Sequence, residues 1–271
     1  MNALFKKSVA EFLGTAVFLT AIAGASTSGT PFKAMALALA LGLMILILGP
    51  ISGGHFNPAV SIYFYAKREY TFGTLVSYIV AQLAGAFAGV ALGLALWGSN
   101  IATISNTNES SLPMVLGEIL ATAGLVVIIA TLIKNKQTNL IWISVAAWVF
   151  AAANFTGTGA QANPAVTFGL LFAGAGTGTV TSIILAEIAG LFVAVLVLWV
   201  LEAKTAAAKK KPAKTEVIYT GNTVAASSAA SAVKATAAAK PAAAKKPAAK
   251  KPATAKPVAA KKPAAKKPAA K

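Results

Sequence analysis

The residues whose types and spacing indicate chemistry in this sequence are two copies of one short motif. Asn-Pro-Ala-Val begins at Asn57 and again at Asn163, each time in a glycine-containing break that ends a long apolar run. An Asn side-chain oxygen caps a helix by accepting backbone N–H groups, and Pro suits the first helical position. The capping amide can still donate hydrogen bonds to a polar molecule beside it. The motifs therefore predict two helix starts that contact a neutral polar solute: Asn57, Pro58, Ala59, Asn163, Pro164 and Ala165.

The helices predicted after these caps are short. Residues 59–66 and 165–173 form runs of roughly 10 residues, or about 15 Å at helical rise, which is half of a ~30 Å hydrocarbon core. Two such half-helices can meet end to end at the middle of a bilayer. A broken backbone at that depth is tolerated only against protein or a water-filled path. We expect such a path, lined by the backbone carbonyls of Gly53, Gly54, His55, Phe56, Gly159, Ala160, Gln161 and Ala162.

The elements that must position these caps are membrane spans. Hydrophobic residues make up 57% of the chain and charged residues 11%, which excludes an ordinary soluble domain. Six apolar runs are long enough to cross a bilayer. They occupy residues 8–27, 34–51, 74–98, 113–133, 139–155 and 178–201.

An internal repeat organises these spans. Glu11-Phe-Leu-Gly-Thr15 parallels Glu118-Ile-Leu-Ala-Thr122, and each Glu precedes its Asn by nearly the same distance, 46 and 45 residues. Beyond the Asn motifs, Gln82 matches Glu187, and both are expected at contacts between spans. Three spans per copy force the copies into opposite orientations. We predict an all-α membrane protein with six transmembrane helices and two re-entrant half-helices, its inverted repeats (5–98 and 112–201) forming a channel domain over residues 1–201.

Positive charges predict the orientation. Lys6, Lys7, Lys67, Arg68, Lys134, Lys136 and the C-terminal residues fall on one side of the predicted spans, whereas Lys33 falls on the other. By the positive-inside rule both termini are cytoplasmic, in a multi-pass protein of a cell membrane, plasma or inner. The lysines before the first run also fit a cleaved signal peptide. The match between Glu11, inside that run, and Glu118 favours a retained span.

The doubled Asn-Pro-Ala motif, with Ser52-Gly-Gly-His55 before its first copy, resembles the aquaporin, or major intrinsic protein, family over residues 5–201. The resemblance implies a passive channel for water or small neutral solutes of the glycerol, urea and ammonia class, and a homotetramer in the lipid bilayer. It also implies a selectivity constriction, at Leu37, Ala151, Ala160 and Val166. Most relatives carry an aromatic residue at the first of these positions and Arg at the last. An apolar set without Arg predicts a wider constriction that is less strict against small neutral solutes.

Other polar residues have competing interpretations. His55 fits a pH-sensitive gate at the cytoplasmic mouth, or a neutral imidazole bonded to a loop carbonyl, which we favour. Glu11 and Glu118 fit proton-relay groups, or loop-supporting carboxylates that accept backbone N–H groups, which we favour. The sequence has no Cys and no Asp, and we find no catalytic, metal-binding or cofactor-binding pattern. We expect no enzyme and no cofactor.

Residues 202–271 form a separate region rich in Lys, Ala and Pro, with seventeen lysines and two glutamates. We predict a disordered, basic cytoplasmic tail. It is a solvated extension, binds anionic lipid headgroups, or binds nucleic acid. Two rivals to the channel therefore stay open: a secondary transporter on the same inverted repeats, and a membrane-anchored tether that acts through the tail.

Overall fold

The computed structural model describes residues 2–210, and these residues form eight α-helices and no strand. Two 3₁₀ turns, Thr138–Leu140 and Leu170–Ala173, precede α6 and follow α7. The helices are α1 (Ala3–Thr27), α2 (Lys33–Ser52), α3 (Pro58–Ala66), α4 (Phe72–Ala95), α5 (Leu112–Lys134), α6 (Ile141–Phe155), α7 (Pro164–Gly169) and α8 (Thr177–Lys210).

Six of these helices, in the part of the chain that the structure describes, are long and apolar enough to cross a membrane. They are α1, α2, α4, α5, α6 with its preceding turn, and α8. The two others, α3 and α7, follow the Asn-Pro-Ala motifs and are the short helices that the sequence predicts. The predicted class, six spans with two half-helices, is confirmed.

Close helix pairs give each half of the fold its frame. Helix α1 packs along α4, and α5 packs along α8 in the same manner. Gly85, Gly89 and Gly93 make the first contact possible, since a Cβ on any of them would lie within 2.8 Å of an atom of α1. Small residues spaced by four on one face allow this approach between helices in lipid. Gly190 does the same for α5 and α8.

The half-helices lie where the two halves meet. Helix α3 contacts α4 of its own half and α8 of the other, while α7 contacts α8 of its own half and α4 of the other. The two half-helices also contact each other, and α2 packs against α6 across the centre. The cap of each half-helix is therefore held by elements from both repeats.

The predicted start of the tail needs a correction. Helix α8 continues past residue 201 to Lys210, so the first residues assigned to a disordered tail are helical. Residues 203–208 include four alanines, which have the highest helix propensity, and Pro212 is the first residue that disfavours continuation. The rest of the predicted tail, from residue 211, lies outside the described residues.

Candidate functional site

Both half-helices begin with the same cap. The backbone of Asn57 is extended, and its side chain accepts the N–H of Ala59 through Oδ1 at 2.9 Å. Asn163 accepts the N–H of Ala165 in the same way, also at 2.9 Å. A proline follows each Asn at the first helical position. Each Asn therefore uses its side-chain oxygen to cap its own helix, and its two amide hydrogens stay available to other partners.

One of those hydrogens joins the two halves. Asn57 Nδ2 donates to the carbonyl of Ala162 at 2.8 Å, and Asn163 Nδ2 donates to the carbonyl of Phe56 at 2.8 Å. Each carbonyl belongs to the residue just before the opposite Asn. The bonds are reciprocal, so the two helix starts are tied together at one point, with one amide hydrogen of each Asn left for a further acceptor.

The loops that lead into the caps share an unusual backbone conformation. Counting back from each Asn, the residues at positions four, three and one have positive φ: Gly53, Gly54 and Phe56, and Gly159, Ala160 and Ala162. A left-handed conformation costs a residue with a Cβ about 1–2 kcal/mol. Such strain persists where surrounding contacts determine the conformation. The two halves therefore impose one conformation on two different loop sequences.

Carboxylates of the first helix in each half supply those contacts. Glu11 Oε2 accepts the N–H of Phe56 at 2.7 Å and Oε1 accepts that of His55 at 3.0 Å. Glu118 Oε2 accepts the N–H of Ala162 at 2.7 Å and Oε1 accepts that of Gln161 at 3.0 Å. Both glutamates are fully buried. In the residue before each Asn, the backbone N–H thus donates to a glutamate of the same half, and the carbonyl accepts from the Asn of the other half.

A cavity of about 70 Å³ extends from the two caps along the first loop. Both Asn57 and Asn163 line it, together with Gly53, Gly54 and His55. A water molecule needs about 10–15 Å³ by this measure, so the cavity has room for several. Its remaining lining is largely apolar: Leu41, Ile45, Val60, Phe64, Leu125, Ile129, Ile133, Ile141 and Val145.

Six of the eight predicted lining carbonyls have no hydrogen-bond donor among the described residues. Phe56 and Ala162 accept the Asn amides, whereas Gly53, Gly54, His55, Gly159, Ala160 and Gln161 have free carbonyls. Backbone carbonyls at membrane depth need a partner. Water or another donor in a path along the loops would provide it.

The four residues predicted for the constriction do not all lie together. Leu37, Ala160 and Val166 are buried and belong to the hydrophobic core, which includes residues of both halves. Ala151 is exposed on the outer face of α6, whereas Val149 and Ala152 are buried on the inner face. This placement corrects the choice of Ala151. The count back from Asn163 crosses an irregular segment without a helical period, so it does not define which face of α6 a residue lies on. An error of two residues along a helix rotates a side chain by about 200°.

His55 is surrounded by side chains rather than by loop carbonyls. Its Nδ1 lies 3.0 Å from Ser61 Oγ, and its ring stacks on Phe64 with 4.7 Å between ring centroids. Tyr78 packs edge-on against it, and its hydroxyl donates to the Ser52 carbonyl at 2.6 Å. The expected bond to a loop carbonyl is therefore replaced by one to a serine, in an imidazole that is almost fully buried.

The sequence did not predict the contacts that Ser52, Gln82 and Glu187 make at the site, nor the part of Ser61 and Thr167 in them. Ser52 Oγ donates to Glu11 Oε1 at 2.6 Å, and Gln82 Nε2 donates both to Glu11 Oε2 and to Ser61 Oγ. In the second half, the hydroxyl of Thr167 lies 2.6 Å from Glu187 Oε1. Ser61 and Thr167 each follow their Asn by four residues. Extending the repeat comparison past the Asn-Pro-Ala motifs would have paired them.

Known proteins are similar to this chain over most of its described part. The family model described as Major intrinsic protein matches residues 1–159. An aquaglyceroporin of Rhizobium meliloti is 33% identical over 214 residues, 73% of this chain and 91% of the relative. An aquaporin of Methanothermobacter marburgensis is 29% identical over 64% of this chain and 87% of its own. The solved structure of the Plasmodium falciparum aquaglyceroporin has a TM-score of 0.52 at 23% identity, covering 69% of this chain and 92% of its own, a likeness that shows the fold.

Proposed function

The chain belongs to the major intrinsic protein family, and from this we propose that it is a passive channel whose apolar constriction admits small neutral solutes besides water. It is an integral, multi-pass membrane protein and a channel for water or small solutes. The finer proposal is that the solutes are of the glycerol, urea and ammonia class.

The strongest support for a conducting path is the cavity at the two caps. Two capping asparagines from different halves line one space, and each has an amide hydrogen to spare. Two helix N-termini place partial positive charge at this point, which disfavours cations. A neutral molecule with lone pairs, such as water, glycerol or urea, can accept from the asparagines while its own hydrogens meet the free loop carbonyls.

The proposal of a permissive constriction depends on Val166. This residue occupies the third position after Asn163, is 2% exposed, and belongs to the hydrophobic core, as Leu37 and Ala160 do. The only Arg in the sequence, Arg68, lies in the turn after α3. No guanidinium is therefore available to narrow the proposed constriction at Val166 or to impose directional hydrogen bonds there. Thr167, the next residue, is buried and bonded to Glu187.

The assembly and orientation of the channel are proposed on other grounds. Because relatives in this family are commonly tetrameric, we propose four copies of this chain with one pore each. Large apolar side chains exposed along the outer faces, such as Phe192, Trp199 and Leu185, would then contact lipid or a neighbouring copy. We place both termini and the first half-helix on the cytoplasmic side of a cell membrane, plasma or inner, following the distribution of lysines.

Flux measurements in liposomes test the proposed selectivity. Stopped-flow light scattering would compare water, glycerol, urea and ammonia permeability for the wild type, Val166→Arg and Val166→Met. We expect Val166→Arg to lower glycerol and urea flux more than water flux, because it adds both bulk and fixed donors. Val166→Met adds bulk without charge and controls for narrowing alone. Identical solute ratios in wild type and Val166→Arg would contradict a filter at this residue.

The same vesicles separate a channel from the transporter and tether alternatives. A channel gives flux that does not saturate with solute concentration and has a low activation energy, whereas a secondary transporter saturates. Deletion of residues 203–271 should leave permeability in place. Loss of all permeability on that deletion, with nucleic-acid binding as the one activity of the full chain, would instead favour a tether.

A further inference from the structure

The second residue before each Asn occupies the same place in its half of the fold. His55 and Gln161 each donate the backbone N–H to Oε1 of the glutamate of their half, at 3.0 Å. The residues on both sides of each have positive φ. The side chain of His55 lines the cavity that extends from the caps along the first loop. Gln161 is its counterpart in the outer half, because the two repeats are inverted relative to each other.

In the first half, the side-chain hydrogen bonds run from Gln82 to His55. Gln82 Nε2 lies 2.8 Å from Glu11 Oε2 and 3.0 Å from Ser61 Oγ, and it donates one hydrogen to each. Ser61 has one hydroxyl hydrogen, and its oxygen lies 3.0 Å from His55 Nδ1. The hydroxyl therefore donates to Nδ1. An imidazole that accepts at Nδ1 carries its hydrogen on Nε2.

In the second half, the equivalent hydrogen bonds run in the opposite direction. Glu187 Oε1 accepts the N–H of Asn163 at 2.8 Å, so it acts as an acceptor and takes the one hydrogen of the Thr167 hydroxyl, at 2.6 Å. Gln161 Oε1 lies 2.5 Å from the same hydroxyl, which has no second hydrogen to give. Exchanging the oxygen and nitrogen of this amide makes Gln161 the donor. A carboxyl group in the place of Gln82 thus reverses the order of donors and acceptors.

Each anchored side chain has one polar end left over. His55 Nε2 and the other terminal atom of the Gln161 amide have no hydrogen-bond partner among the described residues. Neither atom is one of the fully buried side-chain atoms that lack a partner, so both face open space. Gln161 is half-buried, whereas the residues on both sides of it are buried. Its side chain is therefore the part of this loop segment that a solute can reach.

We propose that the Gln161 side chain lines the outer half of the path and presents its amide oxygen to the solute, as a specificity-determining acceptor. The amide nitrogen donates to Thr167, which directly follows Val166, so the oxygen is held close to the proposed constriction. In the cytoplasmic half, His55 presents an N–H donor instead. The two halves of the path thus have opposite hydrogen-bonding character. This inference rests on the proposed channel function.

An acceptor at this place favours solutes that carry hydrogens on nitrogen or oxygen. Urea has an amino group on both sides of its carbonyl, whereas acetamide, of similar size, has a methyl group on one side. An amide oxygen of Gln161 can therefore pair with urea in either orientation about its carbonyl and with acetamide in one. An apolar side chain at this position would not distinguish the two solutes by hydrogen bonding.

Thiol labelling tests the position of the Gln161 side chain. The chain has no Cys, so Gln161→Cys introduces a single target. We expect a small methanethiosulfonate reagent to label it in proteoliposomes and to reduce water flux several-fold. Gln137→Cys, at an exposed Gln that follows α5, should be labelled without loss of flux. An unlabelled Gln161→Cys, or a labelled one with unchanged flux, would overturn the placement.

Solute flux tests the acceptor. Stopped-flow measurements would compare urea and acetamide for the wild type, Gln161→Met and Gln137→Met, because Met is close to Gln in length and has no amide. We expect the urea-to-acetamide flux ratio to fall several-fold in Gln161→Met and to stay unchanged in Gln137→Met. An unchanged ratio in Gln161→Met, or a wild type that passes water alone, would contradict the acceptor but leave the channel in place. A wild type that passes neither water nor solute above protein-free liposomes would instead refute the channel function.

The anchoring hydroxyl gives an independent test that leaves Gln161 itself unchanged. Thr167→Val removes the hydroxyl at nearly constant volume, whereas Thr167→Ser keeps it. We expect the urea-to-acetamide ratio to fall in Thr167→Val and to be retained better in Thr167→Ser. Equal ratios in the two variants would show that this hydroxyl does not hold the amide toward the path.

Discussion

The close contact between α1 and α4 at Gly85 makes one substitution decisive for both stability and the site. In Gly85→Ala the new Cβ would lie 2.5 Å from the Phe12 carbonyl oxygen, and its next neighbours are the Thr15 Cβ and the Phe12 carbonyl carbon. Carbon–oxygen contacts between close helices are about 3.3–3.6 Å, so the helices must separate by roughly 1 Å. Neither partner has a flexible side chain that can move aside instead.

That separation has a cost that the local geometry allows us to estimate. Overpacking of this kind typically destabilises by about 1–3 kcal/mol. The bond from Gln82 Nε2 to Glu11 Oε2 crosses the same helix pair at 2.8 Å, and a 1 Å shift along it would leave no hydrogen bond. A hydrogen bond to a charged group contributes about 1.5–3 kcal/mol. We expect a combined loss in stability of roughly 2.5–6 kcal/mol, the sum of these two ranges. We also expect reduced water flux, because Glu11 moves relative to its loop.

Thermal unfolding in detergent and water flux in liposomes would measure both effects, with Gly73→Ala as the control. Gly73 lies in the same helix, but its nearest neighbour to a new Cβ is Thr71 Oγ1 at 3.9 Å, an ordinary contact. Alanine there should be neutral or stabilise by up to about 1 kcal/mol through helix propensity. An unfolding midpoint for Gly85→Ala equal to or above that of Gly73→Ala would refute the reasoning.

Two further substitutions test the caps and the outer loop. Asn57→Asp keeps an oxygen for the Ala59 N–H but replaces the donor to the Ala162 carbonyl with a negative charge. We therefore expect a cation conductance in planar bilayers that the wild type lacks. An unchanged current would count against a conducting path at this cap. Gly176→Ala would place a Cβ 2.2 Å from the Thr107 carbonyl, so we expect displacement of the 99–111 loop, seen as faster proteolysis there than in the wild type. A wild-type digestion rate would show that the loop does not need this contact.

The half-helices were the most predictable part of the site, because their signals are local. Asn followed by Pro defines a cap within four residues, and the length of the apolar run that follows defines how far the helix extends. Matching Glu11 with Glu118 in the sequence places both glutamates at equivalent positions, and their backbone partners lie within 45 residues in each half. These features needed no knowledge of how the halves meet.

The remaining features depend on contacts between distant segments. The bond from Asn57 to Ala162 spans 105 residues, and no pattern near either residue indicates it. Ala151 lies on the outer face of α6, unlike the prediction, because the phase of α6 relative to Asn163 depends on a loop without periodicity. Helix α8 extends beyond its predicted end, because the change in composition at residue 202 does not end a helix when alanine favours helix on both sides of it.

The reciprocal bonds between the two caps bear on how the protein matures during synthesis. When the ribosome has made only the first repeat, the Phe56 carbonyl and one amide hydrogen of Asn57 have no protein partner, because both partners lie more than a hundred residues ahead. The first re-entrant loop thus cannot reach its final state inside a half-built chain. Both loops are therefore completed in one late event, in which each repeat supplies the last hydrogen-bond partner of the other.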